Sequence, residues 1–350
     1  MTRFNDTFLK ACRGEKTDYT PVWYMRQAGR YQPEYRKIRE KFSLFGICQN
    51  PEVCAEVTKL PIKQLNVDAG ILFSDITIPF HGLGVNFEIK ENVGPVTEKP
   101  VREEADVANL KDFAPEKDIP YVGETVQLLK EQLSVPLIGF AGAPFTLASY
   151  LVEGGPSKQF MHVKYMMYAH PERWKILMDH LTETVYRHAS FQAENGADAL
   201  QLFDSWVGNL SESDYREFVL PWMKDLVARL KQYKLPIIHF GVGTYHLLKA
   251  MQETQHNVTG LDWRVKPSTG REILGDDTAL QGNLDPTLLL APWDTLEKRA
   301  LQLLEDAPSQ GYIFNLGHGV LPKTPVENLK RLTKLVKTHT YKNHNNQKNE

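Results

Sequence analysis

The chain is short of cysteine, of long apolar runs and of net charge, and each shortage closes off a class of protein. Its three cysteines, Cys12, Cys48 and Cys54, are an odd number without CxxC spacing. That excludes a disulfide framework and reads as the reduced thiols of a cytoplasmic protein. Nowhere do 18 apolar residues run together, and the opening MTRFNDTFLKACRG holds no apolar stretch of signal-peptide length, so no membrane role is expected. A formal net charge of −2 leaves no global field to attract nucleic acid. Scattered histidines without HxxxH or HExxH spacing give no metal site. No lysine ends a predicted strand, which removes the nucleophile of Schiff-base chemistry. There is also no Pro/Gly/Ser-rich linker, so the 350 residues read as one domain over 1–340 with a polar, flexible tail at 341–350.

Against this neutral background, residues 26–41 hold six Lys or Arg and two Glu, a local surplus of four positive charges. The stretch begins in PVWYMRQAGR, where an apolar run delivers Arg26 and Arg30 on either side of Ala28-Gly29. A guanidinium is permanently charged and presents paired N–H donors that match a carboxylate. A polyanionic substrate is the first inference.

Short apolar runs recur along the chain: PVWYM (21–25), DAGILF (68–73), PLIGFAG (136–142), ALQLFD (199–204), PIIHF (236–240), VTGLDW (258–263), ALQGNL (279–284) and YIFNLG (312–317). Stretches of helical periodicity separate them, among them one that Asn50 can cap with Pro51 at its first position. Eight such runs joined by long crossovers predict an α/β fold, a (β/α)8 TIM barrel of parallel strands buried on both faces. Residues 83–101 alternate and carry turn residues, which predicts an antiparallel hairpin inserted after the second strand.

In such a barrel the working groups sit just past the carboxyl ends of the strands. Those positions hold Arg26 and Arg30, Ser74-Asp75, Asp204-Ser205, Asp262 and Arg264, Asn283 and Asp285, and His318. Asp75, in the apolar ILFSDITIPF, either partners an arginine or receives N–H groups and positive charge from substrate. His318 stands between two glycines in NLGHG, either as part of a turn or aimed at a ligand. Tyr150 and Ser205 gain meaning only beside the others. HFGVG imitates part of a dinucleotide fingerprint, but His246 stands where the third glycine belongs.

The motifs PVWYMRQAGRYQPEYR, ILFSDI, GFAGAPFTLASYLVEGG, LFDSW, HFGVG, GLDWR, QGNLDP and IFNLGHGVLP together resemble the uroporphyrinogen decarboxylase family over about residues 4–336. The resemblance implies a single (β/α)8 barrel, a homodimer and a reaction without cofactor or metal. That reaction converts uroporphyrinogen III to coproporphyrinogen III by removing CO2 from four acetate side chains. It further implies that Arg26, Gln27, Ala28, Gly29, Arg30, Asp75, Tyr150, Ser205 and His318 bind substrate, with Arg39 and Phe45 as further pocket members and Asp75 and Arg26 as catalytic residues. A zinc-dependent cobalamin or thiol methyltransferase of the same superfamily is the alternative, and a non-catalytic tetrapyrrole carrier the alternative of another class.

Overall fold

Seven of the eight apolar runs become strands of one parallel sheet, and the eighth closes it. The structure, a computed structural model, describes residues 4–90 and 94–346. The strands are β1 (Gly70–Ile71), β2 (Phe87–Lys90), β3 (Gly94–Thr97), β4 (Leu137–Gly142), β5 (Ala199–Asp204), β6 (Ile237–Gly241), β7 (Val258–Gly260), β8 (Ala279–Leu284) and β9 (Tyr312–Leu316). The sheet runs β1-β4-β5-β6-β7-β8-β9, with every neighbouring pair parallel. β2 and β3 pair separately and antiparallel, from Phe87 opposite Thr97 to Lys90 opposite Gly94. The hairpin expected over 83–101 is therefore present, and residues 91–93 of it lie outside those described.

The first run, residues 21–25, contributes a single bridge where a whole strand was expected. Val22 pairs with Phe314 of β9 in parallel. Phe314 donates its N–H to the Pro21 carbonyl at 2.9 Å, and Asp68, just before β1, donates its N–H to the Val22 carbonyl at 2.7 Å. The ladder stays short for a local reason. Pro21 has no N–H to give, and the N–H of Val22 goes to the Asp68 side chain at 2.9 Å, not to a backbone carbonyl.

Strands buried on both faces demand apolar residues, and β4, β8 and β9 are buried at every position. The interior nevertheless holds a polar chain, in which Trp23 donates to Gln281 at 2.9 Å and Gln281 donates to Gln201 at 3.0 Å. Outside the sheet, the crossover helix Pro171–Glu194 uses the Gln192 amide to accept from the Phe140 N–H and donate to its carbonyl, at 2.9 and 2.8 Å. Asn50 caps the helix Pro51–Leu65 by accepting from the Val53 N–H, with Pro51 at the first turn as expected. The helical span after Ser211 is two helices, Glu212–Phe218 and Leu220–Leu230, broken ahead of Pro221.

The helix Val326–Asn346 runs through the first six residues of the segment expected to be a flexible tail, and 347–350 lie outside the described residues. Buried Leu329, Leu332, Val336 and Thr340 pin one face of that helix, and extending a formed helix costs little per residue.

This helix also bears on the seam. Buried Asp68 accepts from Asn5 at 2.9 Å, Tyr19 at 2.8 Å and Lys337 at 2.8 Å, besides the Val22 N–H. Asp68→Ala leaves the Lys337 ammonium without its carboxylate in a largely buried place. The expected loss of unfolding free energy is about 3 kcal/mol, read by urea denaturation at an unchanged slope. A loss below about 1 kcal/mol would show that the seam holds without this carboxylate.

Candidate active site

The segment that closes the ring also delivers Arg26 to its carboxyl-terminal rim. Met25 is held from both sides: its N–H donates to the Asn315 side chain at 3.0 Å, and its carbonyl accepts from Val320 at 2.9 Å. Two residues on, Gln27 is fully buried, accepts from the Tyr24 N–H and donates to the Ala69 carbonyl, each at 3.2 Å. Its own carbonyl accepts from the Tyr31 hydroxyl at 2.6 Å. Between these anchors Arg26 adopts φ = 58°, the left-handed region that a long side chain enters only when its flanks compel it. The Gln27 side chain thus shapes the path that Arg26 follows.

The bend lays Arg26 across the loop after β9. A Cβ at Gly319 would stand 2.6 Å from Cγ and 3.0 Å from Nε of Arg26, and one at Gly317 would stand 2.9 Å from the Asp262 carbonyl carbon. The two glycines of NLGHG therefore allow close approach on both sides of His318. The imidazole between them is mostly buried, and its pKa is pushed down from 6.5 to about 4. Burial is the main cause, the charges of Arg26 and Arg264 add to it, and Asp262 opposes. His318 is therefore neutral at neutral pH, and it donates or accepts hydrogen bonds without carrying charge.

Across the rim, β1 leads to half-buried Asp75. Its Oδ1 accepts from the Thr77 N–H at 2.9 Å and from the Thr77 hydroxyl. Oδ2 has no partner among the described residues, and the neighbouring Ser74 hydroxyl is buried without one. Tyr150, on the helix Pro144–Glu153 after β4, reads the neighbourhood electrostatically. Burial raises its phenol, the Asp75 carboxylate raises it further, and Arg26 pulls it down. Asp75, Arg26, Tyr150 and His318 therefore share one surrounding. The Trp206 ring lies 6.0 Å from the Tyr150 ring and forms part of this wall, with Ser205 just before it at the end of β5.

Arg30 is exposed, and its charge acts on the Tyr35 phenol. Arg39 donates to the Phe42 carbonyl at 2.6 Å, and its charge meets that of Asp75 around Cys48. The Phe45 ring packs on His81 at 5.0 Å, toward the hairpin. Ala28 and Gly29 are half-buried, and the Gly29 N–H donates to Gln32 at 3.0 Å.

Several strand-end carboxylates serve the scaffold. Asp204 is fully buried, accepts from the Thr146 hydroxyl at 3.1 Å and stands 3.4 Å from His239. Asp285 caps a short helical turn by accepting from Thr287 at 2.8 Å.

The depressed imidazole has a consequence for stability. A histidine whose folded pKa lies below its unfolded value binds fewer protons in the native state. The stability it contributes is complete above about 6.5 and is lost as pH falls toward about 4, and fully buried His188, also pushed to about 4, adds to the same slope. His318→Gln should flatten the fall in unfolding free energy across that window, measured by denaturant titration at a series of pH values. A slope equal to that of the parent chain would mean that His318 titrates normally.

Comparison with known proteins bears on what this rim does. The family model described as uroporphyrinogen decarboxylase (URO-D) matches residues 3–339. Relatives named uroporphyrinogen decarboxylase include one from Geobacillus sp. (strain WCH70), 55% identical over 338 residues, covering 96% of this chain and 98% of that protein. Another, from Thermus thermophilus, is 53% identical over 337 residues, covering 96% and 98%. Among solved structures, a methyltransferase from Methanosarcina mazei superimposes with a TM-score of 0.79 at 21% identity, covering 95% of this chain and 97% of that one, a likeness of fold alone. With a family match across nearly its whole length and relatives above half identity, the chain belongs to the uroporphyrinogen decarboxylase family.

Proposed function

We propose that this chain is a carboxy-lyase that removes CO2 from the four acetate side chains of uroporphyrinogen III to give coproporphyrinogen III, without a cofactor, in porphyrin and haem biosynthesis. Family membership supports the reaction. The observation that carries the site is the common surrounding of Asp75, Arg26, Tyr150 and His318 at the carboxyl-terminal rim.

The chemistry demands an electron sink. Breaking the bond from a pyrrole acetate to its carboxylate leaves an electron pair on carbon, so the ring must first take a proton at carbon and become cationic. The pair then flows into the ring as CO2 leaves, the exocyclic methylene takes a proton to become methyl, and the ring proton departs. Each CO2 released therefore consumes one proton overall. The free Oδ2 of Asp75 is suited to accept pyrrole N–H groups and to stabilise the cationic ring, because a fixed carboxylate is already oriented when the charge develops. Arg26 and Arg30 hold carboxylates of the substrate, and Tyr150 and Ser205 line the wall between strands. Neutral His318 serves as a hydrogen-bonding partner. Gln27, Ala28 and Gly29 give the arginine segment its path, while Arg39 and Phe45 bound the pocket toward the hairpin.

The same reading places the enzyme in the cytoplasm as a single domain over residues 1–340. Its three thiols are free and buried, and among the described residues no helix is long and apolar enough to cross a membrane. A homodimer is favoured by Met161, Tyr165 and Tyr168, which are 63%, 61% and 56% exposed along one face of the helix Met161–Ala169. That helix starts beside Phe160, whose ring packs on Trp206 at 5.4 Å, so the bare face is continuous with the wall of the site.

Incubation with enzymatically generated uroporphyrinogen under reducing conditions should yield products with seven down to four carboxyls on chromatography. Asp75→Asn should lower turnover about a hundredfold while the fold persists, and near-normal turnover would remove Asp75 from its role. Stoichiometric zinc in the purified protein, with no CO2 released, would favour the methyltransferase alternative. Light scattering should report a dimer for the parent chain and a monomer for Tyr165→Glu. A monomeric parent at micromolar concentration would sink the dimer.

A further inference from the structure

The loop after β7 carries a third arginine whose charge reaches the imidazole that Arg26 reaches. Arg264 lowers the pKa of His318 together with Arg26, so both guanidiniums border the pocket into which His318 is set. The position of Arg264 is fixed from two sides. Its Nη1 donates to Asp262 Oδ2 at 2.9 Å, and its guanidinium carbon stands 4.0 Å from the centre of the Trp263 ring. The Trp263 ring meets the His318 ring edge-on at 6.5 Å, which ties the stack to the wall of the site.

The ion pair does not exhaust either partner. Asp262 is buried and already accepts from two backbone N–H groups, those of Gly243 and Arg264 itself, so both of its oxygens have donors without the guanidinium. On the arginine, Nη1 is the one side-chain nitrogen with a hydrogen-bond partner among the described residues. The Nε and Nη2 edge, the paired-donor edge that grips a carboxylate side-on, is left open on a side chain 51% exposed. A guanidinium stacked on an indole and braced by a carboxylate has surrendered its rotamer freedom before any ligand arrives, which favours binding over mere solvation.

We propose that Arg264 is a carboxylate-binding residue of the cleft that takes one side-chain carboxylate of the tetrapyrrole, acetate or propionate, beyond those held by Arg26 and Arg30. The inference rests on the decarboxylase reading for the identity of the ligand. Trp263 and Asp262 act as positioning residues that hold the fork.

The test compares Arg264→Gln and Arg264→Lys with the parent chain in steady-state decarboxylation of uroporphyrinogen and of a five-carboxyl intermediate, across a range of ionic strength. For a half-exposed clamp, Arg264→Gln should raise KM about threefold to fivefold, with a smaller change in kcat. The KM of that variant should rise less steeply with salt. Arg264→Lys, which restores the charge, should recover most of the difference. An equal effect on both substrates assigns a propionate, which survives all four steps, and an effect confined to the eight-carboxyl substrate assigns an acetate. Either outcome supports the inference.

Equilibrium binding of uroporphyrin, the oxidised octacarboxylate, separates this inference from the reading beneath it, because it needs no turnover. If the parent chain fails to decarboxylate, the proposed function falls, while weaker binding of uroporphyrin to Arg264→Gln still upholds the subsite. Unchanged KM, salt dependence and uroporphyrin affinity in Arg264→Gln, at an unchanged melting temperature, would overturn it.

Discussion

The closing of the barrel at residues 21–25 is the constraint on which the site depends. A ring of parallel strands must join its last member to its first, and here the join is one bridge from Val22 to Phe314 and one backbone hydrogen bond from Asp68 to Val22. So short a ladder leaves the seam to side chains, and a buried carboxylate with four donors takes over where backbone pairing stops. The same five residues then run straight into Arg26. Because Met25 is tied to Asn315 and Val320, and Gln27 to Tyr24 and Ala69, the arginine between them has no freedom to relax out of its left-handed backbone. Scaffold and proposed substrate grip are one piece of chain, so a lesion in the seam is felt as a misplaced guanidinium.

Much of this architecture was legible before any coordinates, because parallel strands buried on both faces leave a plain mark: compact apolar runs punctuated by turn residues. The runs at 136–142, 199–204, 236–240, 279–284 and 312–317 match strands to within a residue or two. The run at 21–25 was less legible. Its composition is that of a strand, but whether a strand pairs along its whole length is decided by its neighbours, and neither Pro21 nor the side chain of Asp68 announces in sequence that it will interrupt the ladder. Helix extent at the far end is set in a related way, since polar residues after Thr340 continue a helix anchored by earlier buried positions.

At the rim, the strand-end rule points to Arg26, Asp75 and His318 but does not sort which strand-end acids face inward. Side chains alternate across a strand, so a carboxylate one position along points behind the sheet. Asp204 does so, meeting Thr146 and His239 on the helix side, while Ser205 continues to the rim. Trp206 and Trp263 give little signal of their own, because a tryptophan in a barrel sequence is most simply a core or rim packing residue. The adjacency of Trp263 to Arg264 in GLDWR was the available signal, since an indole beside a guanidinium at a strand end is disposed to stack. The sequence also left the charge state of His318 open, because burial between Arg26 and Arg264 is a property of the assembled rim.

The seam has a temporal side. Val22 finds its partner in Phe314, Met25 donates to Asn315 across 290 residues, and Thr20 donates to Thr340 across 320. Contacts of such sequence separation are the last for which a chain can recover the entropy of loop closure. On a ribosome the arginine-bearing segment leaves the exit tunnel early and must wait, with its apolar flank of Val22, Trp23 and Tyr24 unburied, until β9 has been made. The proposed binding site is therefore among the final parts of the molecule to take shape, and the interval before it does so is when a chain of this kind is most exposed to aggregation.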